Sequence, residues 1–278
     1  MITVEYAGKA THFDDSGVNL ERPGSIVAPL LRGKFYEARF LEYIRSLRIR
    51  GVYVDAGACW GTHTLFFAMH CPARHVHAFE PRPLVHDRLR RNIALNGVGD
   101  RVTAYAWALG ERTGEVTVRL DRVTHRLATR RLDDIVKGPV SLIKIDVEGM
   151  EPDVLNGSAR ILRRWRPVVF AEARDQDALD RLSSCMARHR YTPSGRVFNA
   201  TPTYEFVPEP SRLFALPWLR VVPEPTRGSV LGRHLPVPSR RSLLPAVAAR
   251  VPRPVKRAVR KSIAVGRGRD GVTPPTGR

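Results

Sequence analysis

Residues 52–65, VYVDAGACWGTHTL, carry the clearest structural signal in the chain. An apolar run ends at Asp55, turns through Gly57 and Gly61, and continues into an apolar stretch with helical spacing. In an open sheet of parallel strands, ligands bind beyond the carboxyl ends of the strands. We therefore expect Asp55 to face a ligand crevice, and the glycines to let backbone N–H groups approach the ligand.

The strand-then-helix order repeats along the chain. Further strands are predicted in HVHAFEP (75–81), RVTAYAWAL (101–109), SLIKIDVEG (141–149) and PVVFAEA (167–173), with helices over 62–70, 83–96, 151–165 and 176–189. Alternation at this spacing predicts parallel strands joined by right-handed crossovers. Hairpin strands are predicted in GEVTVRL (114–120) and, at the sheet edge, in RVFNATPTYEFVP (196–208). The predicted fold class is α/β, with a mostly parallel sheet, an antiparallel edge hairpin and helices on both faces.

The composition divides the chain into three regions. Residues 1–50 hold short β-like pieces and one or two helices, and form a predicted N-terminal β/helical cap. Residues 51–207 form the predicted central domain, and residues 208–278 a Pro-rich basic tail that is expected to be largely disordered. Hydrophobic spacing predicts buried positions in the cap and in helix 83–96 at Leu30, Phe35, Phe40, Leu41, Ile44, Leu84, Leu89 and Ile93.

The net charge of +19 points first to nucleic acid or anionic lipid as a partner. Its distribution weakens that interpretation, because residues 223–278 hold 13 Lys and Arg against 2 Asp and Glu, a net of +11. No specific nucleic-acid partner is therefore expected. A basic amphipathic helix over 243–265 could lie on an anionic membrane surface, but Pro252 and Pro254 favour a solvated tail.

The cysteines and the chain start bear on location. Cys59, Cys71 and Cys185 are widely spaced, which predicts neither a disulfide framework nor a zinc site and is typical of a reducing compartment. The opening MITVEYAGKATHFDD lacks the basic start and apolar core of a signal peptide, and no apolar run approaches the ~20 residues of a membrane span. The expected location is the cytoplasm, with peripheral contact at the inner face of the membrane as the role open to the tail.

A dinucleotide is the first ligand to consider for the glycine turn. Its fingerprint is G-x-G-x-x-G, but Cys59 stands where the second glycine would make room for a pyrophosphate. An acid such as Asp55 suits a cationic amine instead, and Glu80, at the next strand end, can accept hydrogen bonds from both hydroxyls of a ribose. An amine and a ribose without a pyrophosphate describe S-adenosylmethionine. The alternative is a turn with a purely structural role.

Residues 143–151, IKIDVEGME, place the charged side chains of Lys144, Asp146, Glu148 and Glu151 around a strand end. Buried charges are costly without a partner, and a Lys144–Asp146 pair is one solution. Acids also suit the N-terminus of the following helix through its dipole. That structural interpretation fits Glu151 best and Asp146 least, because Asp146 is expected at the edge of the crevice.

Taken together, these stretches resemble the FkbM family of S-adenosylmethionine-dependent methyltransferases. The resemblance covers about residues 26–207 and is carried by VDAGACWGTHTLFFA, VHAFEPRP, RRNIALNG, ALGERTGEV, LIKIDVEGMEPDVLNGS and RPVVFAEA. FYE at 35–37 and FNATPTYEF at 198–206 resemble one subgroup. The resemblance implies a class I methyltransferase (Rossmann-like) fold and O-methylation of a hydroxyl. It also implies an acceptor that is a sugar of a surface glycan or glycolipid, or a natural product.

The resemblance also implies roles for single residues. The cofactor-binding set carried over by position is Asp55, Gly57, Ala58 and Gly61 for the methionine part, Glu80 for the ribose, Ala106 and Trp107 for the adenine, and Asp146. Two departures stand out. The loop reads Ala-Cys-Trp-Gly where Ala-Asn-x-Gly is usual, and residues 119–131 lack the expected Asn/Gly-rich loop.

A hydroxyl is a poor nucleophile, so a base must take its proton at or near the transition state. The catalytic candidates are Asp146 first, then Glu172 at the end of the fifth strand, then His63. A divalent cation held by Asp146, Glu148 or Glu172 is an alternative way to acidify the hydroxyl. The acceptor pocket is predicted to include Asn199, Thr201, Thr203 and Tyr204, with turn chemistry around Pro202 as the other explanation.

Two rival functions remain open at this point. An RNA methyltransferase would account for the positive charge, but the extra carboxylate of the Asp146-Val-Glu-Gly stretch would repel phosphate. A non-catalytic cofactor-binding scaffold in a glycan-assembly complex would bind the cofactor without transferring its methyl group. The sequence leaves the oligomeric state open.

Overall fold

A seven-stranded mixed sheet organises the described part of the chain, which comprises residues 1–21, 24, 26–120 and 123–210 of the computed structural model. The strands are β1 (Ile2–Tyr6), β2 (Lys9–Phe13), β3 (Gly51–Ala56), β4 (Ala73–Phe79), β5 (Val102–Tyr105), β6 (Ala108–Leu109), β7 (Gly114–Leu120), β8 (Val123–Arg130), β9 (Leu142–Ile145), β10 (Val168–Glu172), β11 (Tyr191–Phe198) and β12 (Thr203–Pro208). The helices are α1 (Val27–Leu31), α2 (Ala38–Ser46), α3 (Thr62–His70), α4 (Pro83–Leu95), α5 (Leu132–Ile135), α6 (Glu151–Asn156), α7 (Ala159–Trp165) and α8 (Gln176–Arg188).

The order of the strands confirms the predicted fold. The sheet runs β11-β12-β10-β9-β3-β4-β5, and the five strands from β10 to β5 are parallel. The predicted edge hairpin is β11 and β12, and β12 pairs antiparallel with β10. The carboxyl ends of β3, β4, β9 and β10 therefore meet at one edge of the sheet.

Side chains of successive strand residues point to opposite faces, and each face has its own core. Tyr53 and Leu142 belong to one buried cluster, whereas their neighbours Val54 and Ile143 belong to the other. Burying each large apolar side chain contributes about 1.5–3 kcal/mol, so both faces need covering helices. The predicted buried residues of the N-terminal region, Leu30, Phe35, Phe40, Leu41 and Ile44, all lie in the first cluster.

The prediction that Leu84 shares a buried face with Leu89 and Ile93 is wrong. Leu84 is 84% exposed, whereas Leu89 is fully buried and Ile93 is 7% exposed. Five residues along a helix correspond to a rotation of about 140°, so Leu84 lies well away from the buried face.

Two predicted elements are interrupted. The third strand ends at Tyr105, and β6 joins β8 and β7 in a separate three-stranded sheet, which confirms a hairpin at 114–120. The predicted helix over 151–165 is divided into α6 and α7 at Gly157. A Cβ at Gly157 would lie 2.0 Å from the Gly110 carbonyl oxygen, so the chain packs there through two glycines.

The first 50 residues form the β1–β2 hairpin, α1 and α2, and share the first core cluster with α3 and α4. The domain boundaries at 50 and 207 stay predictions. Residues 211–278 lie outside the described residues, and so does nearly all of the predicted tail. Among the described helices, none combines the length and the apolar character that crossing a membrane requires.

Candidate active site

A cavity of about 500 Å³ opens at the carboxyl ends of the parallel strands. This volume lies within the ~300–1,000 Å³ that is common for small-molecule sites. Of the ten residues predicted to be catalytic or to bind the cofactor, five line it, namely Gly57, Glu80, Trp107, Asp146 and Glu172. The remaining five do not, namely Asp55, Ala58, Gly61, His63 and Ala106.

Asp55 lies beneath the cavity, fully buried. Its Oδ2 accepts a hydrogen bond of 2.6 Å from the Thr64 hydroxyl, and its Oδ1 lies 3.3 Å from the Lys144 ammonium. Within the described residues Oδ1 accepts no well-aligned hydrogen bond, so the Lys144 contact is an ion pair. The predicted contact between Asp55 and the cofactor is not visible in this arrangement and stays a prediction.

Lys144 links the ends of β3 and β9. Its buried ammonium lies 3.4 Å from Asp146 Oδ2 and donates to the Gly57 carbonyl at 3.1 Å. Burial alone would lower the pKa of Lys144, but the charges of Asp55 and Asp146 raise it above its usual range. Lys144 is therefore a permanent cation, and the pairing with Asp146 that the sequence allowed is present.

The glycine turn is built differently from the expectation. Gly57 has a φ of +80°, and a Cβ there would lie 1.8 Å from the Asp146 carbonyl oxygen. The Gly57 and Ala58 N–H groups both donate to the Phe79 carbonyl, and the Gly61 N–H donates to Ala58. The expectation that these N–H groups face the ligand is therefore wrong. The turn needs glycine at position 57 because two strand ends approach closely there.

Glu80, at the end of β4, is 2% exposed and firmly held. Its Oε2 accepts the Cys59 N–H at 3.1 Å, and its Oε1 accepts the Arg82 backbone N–H at 3.0 Å and the Arg82 Nε at 2.9 Å. Arg82 Nη2 also donates to Oε2, at the longer distance of 3.4 Å, so the roughly four acceptor positions of the carboxylate are engaged. A ligand hydroxyl at Glu80 would have to replace or share this longest contact. The sequence reasoning missed Arg82, which lines the cavity beside Glu80.

An aromatic stack forms another wall of the cavity. Trp107 stacks on Tyr105 with ring centroids 5.4 Å apart, and Tyr105 stacks on Phe79 at 4.7 Å. The Arg130 guanidinium lies 5.3 Å from the Trp107 ring. Of the two residues expected to border an adenine, Trp107 lines the cavity, whereas Ala106 is exposed outside it.

Asp146 and Glu172 both line the cavity, as a pair of neighbouring carboxyl groups that can share one proton. Burial, the hydrogen bond to Asp146 and its negative charge raise the pKa of Glu172 to about 9. Burial acts to raise the pKa of Asp146 too, but the Lys144 ammonium and the Glu172 hydrogen bond hold it at about 2. At neutral pH the pair therefore holds one proton on Glu172 and one negative charge on Asp146.

The N-terminal region supplies a wall that the sequence analysis does not predict, although its FYE stretch is part of the family resemblance. Tyr36 and Glu37 line the cavity, and Glu37 has a left-handed φ of 55° directly before α2. Burial and the Glu37 charge raise the pKa of Tyr36 to about 12. His63 lies outside the cavity with its Nε2 3.3 Å from Glu37 Oε2, and its ring stacks on Tyr36 at 6.0 Å.

The other acids near β9 have separate partners. Glu148 pairs with Arg174, whose Nε also lies 3.4 Å from Glu172 Oε1. Glu151 is buried and accepts the N–H groups of Val147 and Gly149, so it stabilises the start of α6, as the structural interpretation holds. Within the described residues no group of three or more His, Cys, Asp or Glu side chains could hold a metal ion. The divalent-cation alternative has no support.

The edge hairpin closes the cavity on the side away from Trp107. Thr201 and Thr203 line it, and the Asn199 side-chain amide donates to the Thr203 hydroxyl at 3.0 Å. Asn199 and Tyr204 do not line the cavity, although both were predicted to. Thr201 precedes Pro202, so pocket lining and turn chemistry occur in the same segment.

Comparison with known proteins identifies the family. The model of the methyltransferase FkbM domain matches residues 55–193, which is half of the chain. The chain belongs to the FkbM methyltransferase family. This FkbM methyltransferase has the class I Rossmann-like fold, and its membership implies S-adenosylmethionine as the methyl donor. A search of curated proteins found no match.

Three solved structures are similar to part of this chain. An FkbM methyltransferase from Methylobacillus flagellatus is 19% identical with a TM-score of 0.46, and the match covers 66% of this chain and 52% of that one. The chain thus spans about half the length of that protein. An O-methyltransferase from Bacillus cereus in complex with SAH is 16% identical, with a TM-score of 0.44 and coverage of 62% and 80%. A precorrin-6y C5,15-methyltransferase from Geobacter metallireducens is 16% identical, with a TM-score of 0.42 and coverage of 62% and 87%.

Proposed function

We propose that this FkbM methyltransferase transfers a methyl group from S-adenosylmethionine to a hydroxyl of a sugar-containing acceptor, such as a surface glycan, a glycolipid or a natural product. The observation that carries the proposal is the Asp146–Glu172 carboxyl pair. It lies in the same cavity as Glu80 and Trp107, so a base and a nucleoside-binding wall share one space.

The residues present fit the cofactor. Glu80 can accept from the ribose hydroxyls in place of its 3.4 Å contact with Arg82 Nη2, and Trp107 offers an aromatic border for the adenine. Gly57 and Asp146, where the ends of β3 and β9 approach closely, both line the cavity on the side that would receive the methionine part. The bound cofactor supplies a methyl group on a positively charged sulfur, and the negative charges of Glu37, Glu80 and Asp146 favour a cation in the cavity.

Asp146 is the base in this proposal. It is the ionised member of the pair, and its carboxylate takes the proton of the acceptor hydroxyl as the oxygen bonds to the methyl carbon. Glu172 stays protonated and donates to Asp146, which orients the carboxylate. Lys144, beneath the cavity, keeps Asp146 ionised through its positive charge. These groups align the hydroxyl with the methyl carbon. Holding two reactants in the correct geometry is a main contribution of the protein to a methyl transfer.

A sugar fits the rest of the lining. Tyr36, Glu37, Thr201 and Thr203 provide hydroxyl and carboxylate groups that can hydrogen-bond to a polyhydroxylated ring. The cationic side chains of the lining, Arg82 and Arg174, are each paired with an acid. A site of this charge favours a neutral acceptor over the phosphate backbone of RNA.

The test uses cells that lack the gene and the same cells carrying the wild-type or the Asp146→Asn protein. Mass spectrometry of surface glycans should show one species lighter by about 14 Da, one CH₂, in the deletion strain. Wild type should restore the mass and Asp146→Asn should not, although the variant should still bind S-adenosylhomocysteine. Full restoration by Asp146→Asn contradicts the base assignment. Cofactor binding without a methylated product in any glycan or glycolipid fraction favours the scaffold alternative.

A further inference from the structure

Helix α4 joins the N-terminal hairpin, β1 and β2, to the glycine turn at residues 57–61, which we call the cofactor turn. The link is one buried side chain. Asn92 is fully buried, and its Nδ2 donates to the Trp60 carbonyl at 2.8 Å. Its Oδ1 accepts the backbone N–H of Asp14, directly after β2, at 2.6 Å. One amide thus satisfies a group of the cofactor turn and a group of the hairpin end.

Two more residues of the same helix contact the turn. The Arg88 guanidinium lies 4.2 Å from the Trp60 ring and its Nε lies 3.8 Å from Asp14 Oδ2, so it spans the same gap as Asn92. Leu89 packs so tightly that a Cβ at Gly61 would lie 2.6 Å from its Cδ1. Residues one turn apart on α4 therefore hold the turn from the side away from the cavity.

The position of the turn bears directly on the cavity. The Cys59 N–H, next to Trp60, donates to Glu80 Oε2 at 3.1 Å, and Cys59 and Glu80 both line the cavity. A displaced turn would therefore move a donor away from the carboxylate that we assign to the ribose. The hydrogen bonds run from Asp14 to Asn92 and on to Trp60, and the adjacent residue Cys59 donates to Glu80.

We propose that Asn92 is a positioning residue for the cofactor turn, and that the N-terminal hairpin thereby contributes to cofactor affinity without touching the cavity. The inference rests on the proposed cofactor site. Loss of the Asn92 donor leaves the partly buried Trp60 carbonyl without this partner, so the turn can move away to hydrogen-bond with water. Returning the turn to its position when the cofactor binds then costs about as much as one hydrogen bond, which is a loss of affinity of about tenfold.

Asn96 provides the matched control. It lies one turn further along α4, with its Nδ2 donating to the His12 carbonyl at 2.7 Å and its Oδ1 accepting the His12 N–H at 2.8 Å. It therefore holds the same hairpin as Asn92. It makes no hydrogen bond to the cofactor turn among the described contacts.

The experiment measures S-adenosylhomocysteine affinity by calorimetry and thermal stability for wild type, Asn92→Asp and Asn96→Asp. Each substitution keeps an acceptor oxygen and removes an amide donor. Both variants should melt at lower temperature, but only Asn92→Asp should lose affinity, by about tenfold or more. Equal affinity in Asn92→Asp and wild type, or an equal loss in Asn96→Asp, overturns the proposal. A wild type that does not bind the probe removes the cofactor assignment itself.

A measurement on wild type covers the case in which the Asn92 variant does not fold. Coupling between two sites is reciprocal, so a ligand that uses the turn must also stabilise what holds the turn. Hydrogen exchange should therefore slow in peptides covering residues 9–16 when S-adenosylhomocysteine binds. Unchanged exchange there, with protection elsewhere around the cavity, contradicts the coupling.

Discussion

Lys144 shows how a single buried charge organises the reacting edge of the sheet. Its ammonium lies between Asp55 and Asp146 and donates to the Gly57 carbonyl, so it contacts both strand ends and the glycine turn. If the ammonium of Lys144 is removed, the carboxylates of Asp55 and Asp146 are left near each other without a compensating positive charge. Lys144 thus supports the site although it does not line the cavity.

Replacing Lys144 with Met should lower the free energy of unfolding by about 3–5 kcal/mol, because Asp55 and Asp146 lose their cation. Urea denaturation measures the change. Lys34→Met is the control, since Lys34 is exposed and its replacement should stay within about 0.5 kcal/mol. A loss for Lys144→Met as small as that of the control would show that the ion pairs of Lys144 with Asp55 and Asp146 do not stabilise the fold.

Glu172 should make the stability of the protein depend on pH. Its pKa is raised from an ordinary 4.5 to about 9, so between these values the native state binds more protons than the unfolded state. The contribution of Glu172 to stability is full below about 4.5 and is lost as the pH rises toward about 9. Glu172→Gln removes this titration.

The free energy of unfolding of wild type should therefore fall relative to that of Glu172→Gln as the pH rises from 5 to 9. Glu5→Gln, at an exposed position, should keep a constant difference from wild type over the same range. Denaturant titrations at several pH values measure both differences. A parallel profile for Glu172→Gln and wild type would contradict the raised pKa.

At the level of elements, the sequence predicts best what local pattern controls. Helix α3 begins and ends as predicted, because an apolar run between Gly61 and Cys71 leaves little choice. The break at Gly157 could not be predicted, since a glycine within a helix is tolerated and its close contact is with Gly110, which is distant in sequence. The wrong prediction for Leu84 came from spacing alone.

Replacing Gly157 with Ala tests whether the close contact with Gly110 requires glycine at this position. Helix propensity alone favours Ala over Gly by about 1 kcal/mol. The close contact with Gly110 should reverse the sign, and the variant should lose about 1–3 kcal/mol, as overpacked sites do. Thermal denaturation compares it with Gly99→Ala, whose added Cβ meets no atom within 4 Å. Stabilisation by Gly157→Ala would show that the two glycines do not need to approach closely.

At the scale of the whole molecule, the site is assembled from segments that are distant in sequence. The acids at the strand ends could be predicted, because parallel strands place their carboxyl ends at one edge. The walls formed by Tyr36 and Glu37 and by Arg174 could not be, since nothing local in those stretches says which surface they will face. The hydrogen bond from the Gly57 N–H to the Phe79 carbonyl could not be predicted either, because Phe79 is on a neighbouring strand.

We expect the acidic strand ends to hold S-adenosylmethionine with its methyl group turned toward Asp146 and Glu172. A crystal structure of the protein with S-adenosylhomocysteine would show whether they do. The ribose hydroxyls should lie at Glu80, the adenine against Trp107 and the sulfur facing the carboxyl pair. A nucleoside bound elsewhere, or a sulfur directed away from Asp146 with no path for an acceptor hydroxyl, would contradict it.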